Sequence, residues 1–184
     1  MKRAAQLRGL SVDHHHGLVN ARRLRRAASG EEGGAPEEVA GAFLESWQKD
    51  TSIHFRREEE VLLPVLARYG GDLGREPVVS MLAQHARIRG LVMDLSDEVT
   101  GGGVRPETLR SIGEGLEEHI RLEEREVFPL VEEALPREGL EELAARLEAK
   151  EAGPRAAEPW VPSEGLSYEA WPGPGDSEGG GWDR

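Results

Sequence analysis

The sequence predicts an all-α protein, an up-down-up-down antiparallel four-helix bundle with a short additional C-terminal helix and an irregular tail. Three observations predict it. Four stretches of helical length each carry one seam of core-type positions at alternating steps of three and four residues. Glycine and proline clusters separate them, at SGEEGGAP (29–36), GGDLGREP (70–77) and TGGGVRP (100–106). No stretch alternates convincingly with the period of two that a half-buried strand requires.

The first stretch carries Leu7, Leu10, His14, Gly17, Ala21, Leu24 and Ala28 on its seam. The second runs from about Pro36 with Phe43, Trp47, His54, Glu58, Val61 and Val65 on one face; Pro36 suits a first helical turn, and Glu37 and Glu38 suit the positive end of its dipole. The third aligns Val78, Met81, His85, Ile88, Val92, Leu95 and Val99, and the fourth, from near Pro106, aligns Leu109, Ile112, Leu116, His119, Glu123 and Val127. A fifth, shorter piece with Leu140, Leu143 and Leu147 is expected to pack across one end. These elements place the bundle in residues 1–151. Residues 152–184 read as a Gly/Pro/Trp-rich tail, extended or disordered, with Trp160, Trp171 and Trp182 at equal intervals. Those rings read either as packing onto the bundle or as a short aromatic motif for a protein partner.

Composition narrows the chemistry. The 184 residues suffice for one sizeable core. With no cysteine, disulfides, thiolate metal sites and thiol nucleophiles are excluded, so any metal must be held by nitrogen and oxygen. A formal charge of −12 argues against a nucleic-acid partner. The basic N-terminus is followed by no apolar run of signal-peptide or membrane-spanning length, so the expectation is a soluble cytoplasmic protein with no membrane partner.

What is unusual is that every long helix carries a histidine at a position its own periodicity assigns to the core, and two helices add a glutamate there. A buried ionised carboxylate is costly unless paired, hydrogen-bonded or metal-bound. His54 precedes Glu58 by four residues and His119 precedes Glu123 by four, which stacks each pair on one helix face. Aligning the two gives HFRREEEVLLP over HIRLEEREVFP, matching at the histidine, an arginine, two glutamates and a proline. The chain therefore reads as two related halves, each a histidine followed by His-x-x-x-Glu.

These motifs, with DHHHGL in the first helix and QHARI in the third, resemble the hemerythrin-like proteins that carry the HHE cation-binding signature, over roughly residues 7–135. The resemblance implies two iron ions bridged by carboxylates and an oxo or hydroxo group. It further implies that His14 and His54 ligate one iron, His85 and His119 the other, and that Glu58 and Glu123 bridge them. Within the triplet His14, His15 and His16 only His14 continues the seam, with His15 the alternative ligand. Oxygen-carrying hemerythrins place a second histidine one turn after the first in the third helix, where this chain has Arg89. A site poorer in imidazole leaves each iron a replaceable water, which favours chemistry with oxygen or peroxide, or metal-linked sensing, over reversible carriage.

The implied function is a non-haem di-iron protein that binds or reduces dioxygen or a small oxidant such as peroxide, in oxygen response or oxidative-stress protection. The alternative is a non-enzymatic module that binds iron or another divalent metal for sensing or storage. Four features lie around the centre. Glu59 and Glu124, about 100° further round their helices, read as solvated charges, with hydrogen bonding to ligand imidazoles as the alternative. Pro64 and Pro129 should bend or end the helical ladder just past the metal layer. Trp47 and Ile112 read as core, with a pocket wall as the alternative. Arg22, Arg23, Arg25 and Arg26 read as a solvated face paired with glutamates.

Overall fold

The computed structural model describes residues 4–31 and 35–152, and every regular element among them is helical. A 3-10 turn, Ala5–Leu7, leads into α1, Arg8–Ala28. Helix α2 covers 36–68, α3 is Glu76–Gly101, α4 covers 106–134 and α5 is Arg137–Ala152. The starts follow from local chemistry. Helices α2, α3 and α4 each open with a proline in the first turn, where its missing N–H is no loss, and with a glutamate beside it facing the positive helix end. Gly70 and Gly102, at φ +82° and +76°, take the left-handed conformation that lets the chain leave α2 and α3. The tail, with Trp160, Trp171 and Trp182, lies outside the described residues. No helix among the described residues is long and apolar enough to cross a membrane.

The seams are buried nearly throughout; Trp47, Val99 and Leu140 are the partly exposed members. Helix α1 packs on α2 and α4, and α3 packs on the same two. Residue numbers rise along one helix and fall along its neighbour. Between α1 and α2, Asn20 donates to Ser46 and Asp13 meets His54. Between α1 and α4, a Cβ on Gly17 would come within 2.8 Å of Ile120, and one on Gly113 within 2.7 Å of the Ala21 carbonyl. Between α3 and α4, the ring of His85 meets that of His119, and Thr108 donates to Glu98.

Two apolar clusters fill the interior. One gathers Leu7, Leu10, Leu62, Leu66, Met81 and Val131 and is capped by Leu143 and Leu147 of α5. The other gathers Leu24, Phe43, Ile88, Leu95, Leu109 and Ile112. Between them the seams of α1, α2, α3 and α4 turn polar. Among the described residues the only other buried polar side chain is Thr108, at 5% exposure.

Helices α2 and α4 are not regular. Each contains a π turn that begins at its seam glutamate, Glu58–Leu62 and Glu123–Val127, closed by i→i−5 bonds from the Leu63 N–H to the Glu58 carbonyl and from the Phe128 N–H to the Glu123 carbonyl. Pro64 and Pro129 follow six residues after those glutamates. A proline clashes with the carbonyl four residues back and donates no bond, and the wider turn upstream accommodates both effects. The regular ladder is thus interrupted, as expected, but before each proline rather than at it, and the helix does not stop there: it continues to Arg68 and Ala134. A third π turn, Trp47–Thr51, lies just before His54 with no proline near it.

Candidate metal centre

The polar layer consists of His14 from α1, His54 and Glu58 from α2, His85 from α3, and His119 and Glu123 from α4. None is more than 5% exposed. The periodicity that buries Leu10 and Gly17 also buries His14 between them, while His15 and His16 are exposed. The structure therefore brings together all six residues singled out in the sequence, with His14 rather than His15 in the layer.

Each imidazole turns Nε2 inward and Nδ1 outward. His14 Nε2 lies 2.9 Å from Glu123 and His54 Nε2 3.3 Å from Glu58. His85 Nε2 lies 3.3 Å from Glu58 and His119 Nε2 3.1 Å from Glu123. On the outer side each Nδ1 meets an oxygen: His14 at Glu124 (2.8 Å), His54 at Asp13 (3.3 Å), His85 at Glu59 (2.7 Å) and His119 at Gln84 (3.2 Å). An oxygen on Nδ1 makes that nitrogen the N–H donor and leaves the Nε2 lone pair free to bind a metal.

His14 Nε2 and His54 Nε2 lie 3.1 Å apart, within hydrogen-bond distance, but the other inner atoms are close without being hydrogen-bonded. Both carboxylate oxygens of Glu58, both of Glu123, and Nε2 of His85 and His119 are fully buried and lack a hydrogen-bond partner of acceptable geometry. Buried polar atoms are normally satisfied, so six in one layer mark a missing partner. Ligand atoms from His14, His54, Glu58 and Glu123 all lie within 4.8 Å of one another, as do those from Glu58, His85, His119 and Glu123. Two ligands on opposite sides of one ion, each about 2.0–2.2 Å from it, stand roughly 4.0–4.4 Å apart, so each group has the span of one ion's ligand set. The two groups share both glutamates.

Residues 9–131, well over half of the chain, match the family description Hemerythrin HHE cation binding domain. The chain belongs to the hemerythrin HHE cation-binding family. No curated protein and no solved structure matches it.

The protons of this hemerythrin domain are held unevenly. Burial alone would lower the pKa of His85, but its contacts with Glu123 and Glu58 outweigh burial and raise it to about 9. Burial also opposes charge on His54, yet Glu58 and the outer Asp13 carry it well above the ordinary imidazole range. At His119 burial wins, and the pKa falls to about 4. The outer partners account for part of this contrast: Asp13 is an anion, whereas the Gln84 amide offers His119 no charge to offset desolvation. Desolvation would raise Glu123, but the surrounding imidazoles hold it well below the usual carboxylate range.

Two sequence readings change. Glu59 and Glu124 are not solvated charges but partners of His85 and His14. Arg89, at the position of the carrier's extra histidine, forms a bidentate pair with Glu59 at 2.7 and 3.0 Å and sits 5.5 Å above the Phe55 ring. Phe55 in turn stacks flat on His85 with centroids 3.8 Å apart. The guanidinium thus fixes Glu59 and the wall beside His85. Asp13 and Gln84 were not singled out in the sequence. A signal for them existed: each directly precedes a seam histidine and pairs with the histidine of the next helix.

A cavity of about 50 Å³ reaches this layer between α1, α2 and α4, lined by Asp13, His16, Asp50 and Thr51 on its outer side and by His54, Phe55 and His119 within. That is room for a few water-sized molecules. Trp47 and Ile112 are not among its walls: Ile112 is core, and Trp47 packs edge-on against Phe55 at 5.4 Å. In the arginine cluster, Arg25 pairs with Glu117 at 2.8 Å.

Proposed function

We propose that this domain is a non-haem di-iron protein that binds or reduces dioxygen or peroxide, in oxygen response or oxidative-stress protection. The observation that carries the reading is the sharing of Glu58 and Glu123 by two ion-sized ligand groups, with all four of their oxygens buried and unbonded. His14 and His54 would hold one iron and His85 and His119 the other, with both carboxylates bridging. The fold we read for it is the up-down-up-down antiparallel four-helix bundle with α5 as the additional C-terminal helix, a reading supported by the reversed residue numbering across neighbouring helices.

An iron pair held by these six residues would supply the electrons for oxygen or peroxide chemistry. The chain's own residues do the rest. Glu124, Asp13, Glu59 and Gln84 fix the four imidazoles, the two apolar clusters exclude bulk water, and the cavity beside His54 and His119 admits only a molecule of a few heavy atoms. His16 and Asp50 at its outer side are the groups placed to hand protons between solvent and that cavity.

The test is to load the protein with iron, reduce it anaerobically and admit oxygen while following the visible spectrum. An absorption change on oxygen that cycles with reduction supports binding, and catalytic loss of added peroxide supports reduction. A loaded protein whose spectrum ignores both oxidants would leave the storage or sensing reading in its place.

A further inference from the structure

Helix α3 turns one face to the metal layer and leaves another uncovered among the described residues. Val79 is 52% exposed, Leu82 40% and Met93 48%, and Ala86 is exposed between them. With Gly90 they form a stripe at steps of three and four, so it runs straight along the helix. Arg75 and Asp97 lie on the same face at its two ends, both exposed. Among the described residues no hydrogen bond or ion pair engages either side chain.

The order of residues on this stripe is self-complementary. If a second copy of α3 lies antiparallel across it, related by a two-fold axis at Ala86, Val79 falls opposite Met93, Leu82 opposite Gly90 and Arg75 opposite Asp97. Each match occurs twice, as a two-fold interface requires. Gly90 adds shape: a Cβ built there would meet nothing within 4 Å, so the surface is notched where the second copy's Leu82 arrives. Ala86, at the axis, is small enough for the helices to approach closely.

The other exposed apolar stripe gives the opposite answer. On α1, Val12 is 62% exposed and Val19 46%. Pairing that face in the same way would set Arg8 against Arg23, which is repulsive.

We propose that two copies of this chain associate through the outer face of α3, antiparallel about a two-fold axis at Ala86. The stripe from Arg75 to Asp97 is about 33 Å long at 1.5 Å per residue. A single helix pair of that length lies at the small end of specific interfaces, so the dimer is reversible and concentration-dependent. The two metal layers are independent of the association.

Sedimentation equilibrium of the full chain over a concentration series tests this, with circular dichroism to show that each surface variant stays folded. The wild type follows a monomer–dimer equilibrium. Ala86→Glu places two carboxylates at the axis and raises the dissociation constant by at least about tenfold. Arg75→Asp or Asp97→Arg alone weakens the dimer by about tenfold, and the double variant R75D/D97R restores it to within about threefold. A wild type that stays monomeric throughout would overturn the proposal and leave the stripe to the tail or to a different protein. A dimer indifferent to Ala86→Glu, or a double variant as weak as the single ones, would overturn it equally.

Discussion

Glu58 and Glu123 sit at 0% exposure with no hydrogen-bond donor on any of their four oxygens, and only the imidazoles around them offset that cost. Because both belong to both ligand groups, they should behave differently from the histidines. Glu123→Ala is expected to abolish retention of both ions, whereas His14→Ala removes one group's imidazole and leaves about one ion per chain; metal analysis after desalting distinguishes the two. The proton inventory gives a second expectation. The contribution of His85 to the stability of the metal-free protein is complete below an ordinary pKa of 6.5 and is lost as pH rises through about 9. That of His119 runs the other way, present above 6.5 and lost as pH falls toward about 4. Metal must displace the protons on His85 and His54, so affinity should rise with pH above 6.5 by up to about tenfold per pH unit for each proton displaced, read by competition with a chelator. Glu59→Ala leaves His85 without its outer acceptor and should weaken metal binding by about 10–100-fold with the fold retained. The six inner residues were legible because a charge on an apolar seam breaks the pattern. Asp13 and Gln84 were not, because their own helix positions look like ordinary surface and their role depends on which histidine the neighbouring helix brings across.

Among the elements, the packing of α1 on α4 depends on small residues. A Cβ on Gly113 would lie 2.7 Å from both the Ala21 carbonyl oxygen and Arg25 Cγ, and a backbone oxygen has little room to move. Gly113→Ala should therefore cost about 1–3 kcal/mol in denaturant unfolding. Gly41→Ala, mid-helix with nothing within 4 Å of the added carbon, should instead stabilise by roughly 0.5–1 kcal/mol. The helices themselves and their punctuation were legible from Pro36, Pro106, Gly70 and Gly102. The π turns were not. Periodicity records which residues face the core, and a turn that widens by one residue at Glu58 or Glu123 is followed by too few seam positions for the change of phase to show. Only the paired prolines hinted at a disturbance, and the turn before His54 had no hint at all.

In the molecule as a whole, one operation relates its two halves. Asp13, His14, His54, Glu58 and Glu124 have their counterparts in Gln84, His85, His119, Glu123 and Glu59, and each outer contact in one half recurs in the other. The departures from that symmetry, Gln84 for Asp13, Arg57 on Asp13 where the other half has Leu122, and Arg89 beside Glu59, are where the surroundings of the two ligand groups differ in charge. The internal repeat was visible in the sequence as two matching undecapeptides, while its closure around one polar layer required the packing of α1 on α4 and α3 on α2. Joint retention of a pair of ions by Glu58 and Glu123 is expected from the sharing of both carboxylates by the two ligand groups. Its most direct test is the iron retained per chain by anaerobically loaded, desalted protein, measured beside the Glu58→Ala/Glu123→Ala double variant. Two irons per chain in the wild type and none in the double variant are predicted; one iron per chain, or two that survive the loss of both carboxylates, would contradict it.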